Sequence, residues 1–262
     1  MGSSTDALRD AQNVVIFAGA GLSAEVGIQT YWNGDDSLYG GTQTEYGYTP
    51  LEHADAQLWM QDTYSQVAYF QSKRAEFRSI NYRDSIYGEL LSRVQTKNYF
   101  CVTSNVDSGF YSAGFDEGKL YEIHGSYRNS QCVMNATHGL FPVEEEAAET
   151  CKACGMPVRP NALFFNDPDF NPQIMYEQQD RFNRFVTELE DSHEPVVLLE
   201  IGVGDTIPRL RQIANRLYRD LQADYLHVNI QEEPEFLFGQ SCAFPNKEEW
   251  LQMSAGDFLR SW

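Results

Sequence analysis

The run Tyr121-Glu-Ile-His124-Gly125-Ser126 places a histidine beside a glycine, downstream of Tyr99-Phe-Cys-Val-Thr103 and its continuation Ser104-Asn105-Val106-Asp107. Histidine suits proton transfer because its ordinary pKa lies near neutral pH. An amide side chain can order hydroxyl groups, and a carboxylate can hold an amide. A lone histidine is often only a packed side chain, so spacing by itself leaves His124 open between the two readings.

Two glycine turns bear on the choice. Asn13-Val-Val-Ile-Phe-Ala18 is short, apolar and β-branched, and it runs into Gly19-Ala20-Gly21-Leu-Ser23-Ala-Glu-Val-Gly27-Ile28. A strand entering such a turn, with a helix start behind it, can bring backbone N–H groups against a pyrophosphate. The spacing departs from G-x-G-x-x-G at Ala24, and a glycine at a strand-to-helix turn is often only a turn. A second loop, Glu200-Ile-Gly202-Val-Gly204-Asp-Thr206, follows another apolar run and precedes Pro208, a favoured early helical position. A third run ends at Val228-Asn229, whose amide could bond ribose hydroxyls or simply close a turn. Two glycine turns and a polar strand end can converge on one dinucleotide. With a dinucleotide there, glycosyl transfer from NAD⁺ becomes the chemistry to consider. Asp107 would hold the nicotinamide amide, Asn105 would order the ribose, and His124 would serve as base toward a ribose hydroxyl.

The cysteines point to a metal. Three of the five fall between Cys132 and Cys154. Structural zinc takes four Cys or His ligands, commonly from two short knuckles. Cys151-Lys-Ala-Cys154-Gly155 is a sound knuckle, whereas Cys132-Val-Met-Asn135 offers asparagine where a fourth cysteine belongs. His138 is close enough in sequence to complete a set with Cys132, Cys151 and Cys154. The alternative is a zinc-free module with reduced cysteines. Cys101 reads as a core thiol, and His53, His193 and His227 as surface or packing residues.

These groups need elements to position them. Strands are expected at Asn13 to Ala18, Tyr99 to Thr103, Val196 to Ile201 and Tyr225 to Asn229. Helices are expected at Ser85 to Gln95, Ile207 to Leu221 and Lys247 to Trp262. Their alternation predicts a parallel, doubly wound α/β sheet. Residues 35–83, rich in Tyr, Gln and Trp, read as a helical insertion beside the cleft, with Trp59, Tyr64, Tyr69 and Phe70 in its core. The stretch around the cysteines shows no strand-helix rhythm and reads as a small inserted module.

The chain has 262 residues, 42% of them hydrophobic and 13% aromatic, which suits a globular protein with a sizeable core. Its formal charge is −19, from 19 basic and 38 acidic residues. That balance argues against a nucleic-acid partner, which wants a basic footprint, and would attract a basic one. No membrane span, secretory signal or myristoylation pattern is visible, so a cytoplasmic or nuclear location is expected.

The ordered blocks Gly19-Ala-Gly21-Leu-Ser23…Gly27-Ile28, Thr103-Ser-Asn105-Val-Asp107…Ala113-Gly114, Ile123-His124-Gly125-Ser126, Cys151-Lys-Ala-Cys154-Gly155…Arg159-Pro160-Asn161 and Ile201-Gly-Val-Gly204 resemble the sirtuin family. The resemblance spans most of the chain. It implies a Rossmann-like domain from residues 1–34, 84–125 and 160–262, the helical insertion at 35–83 and a zinc-ribbon-like module at 126–159. It implies an NAD⁺-dependent protein-lysine deacylase acting on an acyl-lysine protein. The acyl oxygen would attack C1′ of the nicotinamide ribose, giving nicotinamide, O-acyl-ADP-ribose and free lysine. By position, His124 would be the base and Asn105 would order ribose and water. Gly19, Ala20, Gly21, Ser23, Gly27 and Tyr31 would face the cofactor with Asp107. Gly202, Gly204 and Asn229 would lie on its adenosine side.

Several positions depart from the family pattern. Gly-Ile-Pro-Asp-Phe-Arg is replaced by Gly27-Ile-Gln-Thr30-Tyr31-Trp32, which keeps an aromatic and loses a cation. Gly-Leu-His after the aspartate becomes Ser108-Gly109-Phe110, and Phe-Gly-Glu becomes Phe165-Asn166-Asp167. The changes gather where acyl-lysine and nicotinamide would be recognised. They keep open protein ADP-ribosyl transfer or NAD⁺ hydrolysis in the same cleft, and an inactive NAD⁺-sensing module as a third reading.

Overall fold

All six residues of β1 (Asn13–Ala18) are buried, as expected of a strand covered on both faces. The computed structural model describes residues 4–30, 42–142, 150–204, 208–232 and 247–262. β2 (Asn98–Thr103) and β7 (Val196–Ile201) flank β1, both parallel to it. With β3 (Leu120–Glu122), β8 (Asp224–Asn229) and β9 (Glu248–Gln252) the sheet runs β3-β2-β1-β7-β8-β9, parallel throughout. Side chains alternate across it. Val14 and Ile16 join the core under α1 (Ser4–Asp10), α6 (Ile86–Val94), α7 (Gly109–Ala113) and α10 (Ala255–Ser261). Val15 and Phe17 join the opposite core, under α8 (Gln173–Ser192) and α9 (Arg209–Asp220). The sheet is doubly wound, as the alternation predicted.

The helix expected over Lys247 to Trp262 is a strand followed by a helix. β9 pairs with the edge of β8, and Ser254 then caps α10 by accepting from the Asp257 N–H. Edge pairing with β8 outweighs the helical preference of Lys-Glu-Glu. By contrast Ser85 and Gln95 are the two caps of α6.

β4 (Gly125–Cys132), β5 (Leu140–Pro142) and β6 (Val158–Ala162) form a separate antiparallel sheet in the order β5-β4-β6. No strand was legible there because β4 buries polar side chains. Gln131 is fully buried, and its amide is satisfied by Asn161, the Asn171 N–H and the Asp169 carbonyl at 2.6–2.9 Å.

The insertion contributes α3 (Pro50–His53), α4 (Leu58–Gln61) and α5 (Thr63–Ser79). Trp59, Tyr69 and Phe70 are core there, but Tyr64 is 89% exposed. His53 is a packing residue, stacked on Tyr69 with both ring nitrogens bonded, to Gln66 and Thr44. No helix among the described residues is long and apolar enough to cross a membrane.

Candidate functional site

The strand order reverses between β1 and β7, the place where open α/β sheets bind ligands beyond their strand ends. The two glycine turns meet there, backbone to backbone. Gly19 N–H donates to Ile201 O at 3.1 Å, and Gly21 N–H to Gly202 O at 2.8 Å. Gly202 has φ +63, and a Cβ on it would lie 2.4 Å from the Leu22 nitrogen. The glycines are thus required first by each other. Gly202→Ala is expected to destabilise the fold by about 2 kcal/mol or more in a denaturant titration, through the left-handed backbone and the clash.

Above this junction lies a cavity of about 880 Å³, a volume suited to a small ligand. Gly19, Ala20, Gly21 and Ser23, from the first turn and α2 (Ala20–Ala24), line one side. Gly202, Gly204 and Asn229 line another, and Asn105, Asp107 and His124 close it. Gly27 is not among the lining residues; it turns the chain after α2 with φ +87. Tyr31 and Trp32 lie outside the described residues.

Asn105, Asp107 and Ser23 form one buried cluster with a residue that sequence reasoning missed, Tyr87 of α6. Ser23 Oγ donates to Asp107 Oδ2 at 2.5 Å and lies 2.8 Å from the Tyr87 hydroxyl, which reaches the same carboxylate oxygen at 3.2 Å. Asp107 Oδ1 accepts from the Gly109 N–H at 2.8 Å. Asn105 Nδ2 donates to Gly19 O at 2.9 Å, tying the β2 loop to the first glycine turn. Burial pushes the Asp107 carboxyl up, while the bonds from Ser23, Gly109 and Tyr87 oppose it. A tyrosine on an apolar helix face looks like core, and only the tertiary fold shows where its hydroxyl points.

His124 sits where the chain leaves β3 for β4, and its carbonyl accepts from the Leu163 N–H at 2.8 Å. The ring is half-buried and lines the cavity. Desolvation holds its pKa below the usual 6.5; a hydrogen bond to the Ser104 backbone opposes this, and the charge of Arg209 at the start of α9 adds to it. Arg209 was not singled out from sequence. It puts a cation near His124 in a chain that lacks the arginine usual after the first turn.

Comparison with known proteins gives this cleft its family. A sequence model of the Sir2 family matches residues 19–193. The chain belongs to the Sir2 family. An NAD-dependent protein deacylase 2 of Pyrobaculum aerophilum is 26% identical over 257 residues, 97% of this chain and 91% of the relative. A protein ADP-ribosyltransferase of Staphylococcus aureus is 25% identical over 228 residues, 78% of this chain and 69% of the relative. Among solved structures, a Sir2 homologue bound to NAD aligns with TM-score 0.64 at 21% identity, covering 97% of this chain and 89% of its own. A Sir2 homologue mutant in complex with 2′-O-acetyl ADP ribose aligns with TM-score 0.67 at 20% identity, covering 100% and 94%.

Two departures of this Sir2-family chain adopt a backbone that favours glycine. Ser108 and Asn166 stand where the family has glycine, and both have positive φ, 66° and 52°. Asparagine tolerates that region well, whereas Ser108 holds it under strain. Asp167 pairs with Arg159 at 2.7 Å, both side chains nearly inaccessible.

At the end of β8, Asn229 Nδ2 donates to Val203 O at 2.8 Å, and its Oδ1 accepts from the Gln231 N–H at 3.1 Å. Its amide therefore braces the loop. Arg211 Nη2 reaches the same Val203 oxygen at 3.1 Å and Glu200 at 2.7 Å. Glu200 bonds His227, whose other nitrogen meets Glu248. Although desolvation pushes the other way, His227 and Arg211 hold Glu200 down to about 2. His227 belongs to this ion cluster, which no local motif marks.

The metal set closes in space. One donor atom from each of Cys132, His138, Cys151 and Cys154 lies within 4.8 Å of all the others. Cys132 Sγ and Cys154 Sγ are 3.6 Å apart, as are Cys151 Sγ and His138 Nδ1. Tetrahedral zinc with sulfur at its usual bond length places donors about 3.8 Å apart, so this set fits zinc. Asn135, in the place of a fourth cysteine, caps the short turn that carries His138, its Oδ1 accepting from the Thr137 N–H at 2.8 Å.

Proposed function

We propose that this chain is an NAD⁺-dependent protein-lysine deacylase, with His124 as the base acting on a ribose hydroxyl. The observation that carries the reading is a half-buried imidazole, its pKa depressed, on the same cavity as both glycine turns. Asp107, buried and held on both oxygens, is placed to receive the nicotinamide carboxamide. Asn105, held through its Nδ2, orders the ribose with its oxygen side. The acyl-lysine oxygen attacks C1′ as nicotinamide leaves, and His124 then takes the proton from the ribose hydroxyl. Zinc, held by Cys132, His138, Cys151 and Cys154, would cross-link the small module and take no part in the reaction. A basic segment around the acyl-lysine would suit the net charge of −19.

The Staphylococcus aureus relative supports a second reading, protein ADP-ribosyl transfer, in which a protein side chain captures C1′. His124 favours the first, because a base for the ribose hydroxyl serves the second half of deacylation. Incubation with NAD⁺ and acyl-lysine peptides, followed by mass spectrometry, separates them. O-acyl-ADP-ribose is the expected product; ADP-ribosylated protein or free ADP-ribose alone would overturn the deacylase reading.

The histidine must be neutral to act. Because its folded pKa is lowered, the neutral form persists as pH falls through 6.5, and activity drops only at a lower pH. The acid limb of kcat/KM is therefore expected to have its midpoint below 6.5. A midpoint clearly above 6.5 would assign the limb to another group.

A further inference from the structure

The mechanism makes no use of Glu122, a buried carboxylate only 3% exposed at the end of β3. Its main chain is in register with Thr103. Gln178 of α8 clasps it twice: Glu122 N–H donates to Gln178 Oε1 at 2.8 Å, and Gln178 Nε2 donates to Glu122 Oε2 at 3.1 Å.

Glu122 and Ser126 stand two residues before and two after His124. Gln178, bonded to both the main chain and the side chain of Glu122, therefore ties the entry of the segment that carries the imidazole to α8. Between them Gly125 has φ +66, and a Cβ there would lie 2.1 Å from Asn161 O. Both sides of the segment are thus fixed: β6 crowds one and Gln178 holds the other. Burial pushes Glu122 up to about 7; Gln178, Arg128 and Ser126 oppose this, and Asp107 adds to it. Burying a carboxylate costs desolvation, so stability is not what Glu122 adds. Its geometry is what it supplies.

We propose that Glu122 is a positioning residue for His124, its carboxyl clasped by Gln178 of α8 to hold the turn that aims the imidazole into the cleft. The inference rests on the reading of His124 as the base. Its test compares Glu122→Ala, Glu122→Gln and Gln178→Ala with His124→Ala in the full chain, by steady-state kinetics with NAD⁺ and an acetyl-lysine peptide. In Glu122→Ala kcat is expected to fall about 10- to 100-fold with KM for NAD⁺ within about twofold, the scale of a misplaced catalytic group. Glu122→Gln, whose amide oxygen still accepts a hydrogen bond, should recover most of kcat. Gln178→Ala should lower kcat less, and it decides the matter if Glu122→Ala does not fold. Wild-type kcat in Glu122→Ala or in Gln178→Ala would overturn the inference, as would failure of Glu122→Gln to recover kcat. If His124→Ala abolishes turnover in that case, positioning alone has failed; if His124→Ala keeps wild-type turnover, the base reading itself has failed.

Discussion

Replacing His124 by alanine is expected to slow deacylation about 10²- to 10⁴-fold, the contribution of a positioned general base. The structure supplies the reasons. The ring is half-buried, lines the cavity, and has its pKa held below the ordinary value by desolvation. A neutral imidazole keeps one ring nitrogen free to accept a proton. The imidazole does not brace Asn105, Asp107 or the glycine turns, which are held by Gly19, Ser23, Tyr87 and Gly202. Affinity for NAD⁺, measured by calorimetry, should therefore change little in the variant. Nicotinamide release should outlast deacylation, since the base acts after the glycosidic bond is broken. Equal loss of both would mean that the ring acts earlier than proposed.

Removal of the metal should have the second large effect. Around the cysteines the small module's core, among the described residues, is thin: Cys132, Cys151 and Val158, with Phe141 against them, while Tyr127 and Val133 pack against the insertion. Two of those three core residues are themselves donors in the metal set. Such a core cannot hold three strands by burial alone, and structural zinc contributes folding energy outright. One zinc per chain is expected by elemental analysis. Cys154→Ala should lose it and lower Tm by about 10 °C, as the loss of a few kcal/mol does in a chain of this size. His138→Ala should weaken binding as well, because this histidine supplies the donor that Asn135 cannot. Metal-free protein with an unchanged Tm would contradict the assignment.

What sequence showed depended on whether the physical cause was local. β1 and β7 were legible because burial on both faces leaves runs of apolar residues, interrupted in β7 only by Glu200, and α6 because Ser85 announces its start. The Cys132, His138, Cys151 and Cys154 set was legible because ligand chemistry narrows the choice of residue. β4 was not, since Gln131 and Ser130 are buried polar residues whose partners lie far along the chain. β9 was missed because its reason is the open edge of β8. In the cleft, Asn105, Asp107 and His124 stood out by type, whereas Tyr87 and Glu122 act through contacts 20 and 56 residues away in sequence. Ser108 and Asn166 depart from the family pattern in side chain, yet both hold the positive φ that glycine adopts most readily.

The most direct test of the account is a structure of the chain with NAD⁺ bound. The account predicts the pyrophosphate beside the Gly19 and Gly202 turns, and a ribose hydroxyl of the nicotinamide half within hydrogen-bond distance of the His124 ring, about 3 Å. A cofactor seated elsewhere, or a ribose turned away from that ring, would contradict it.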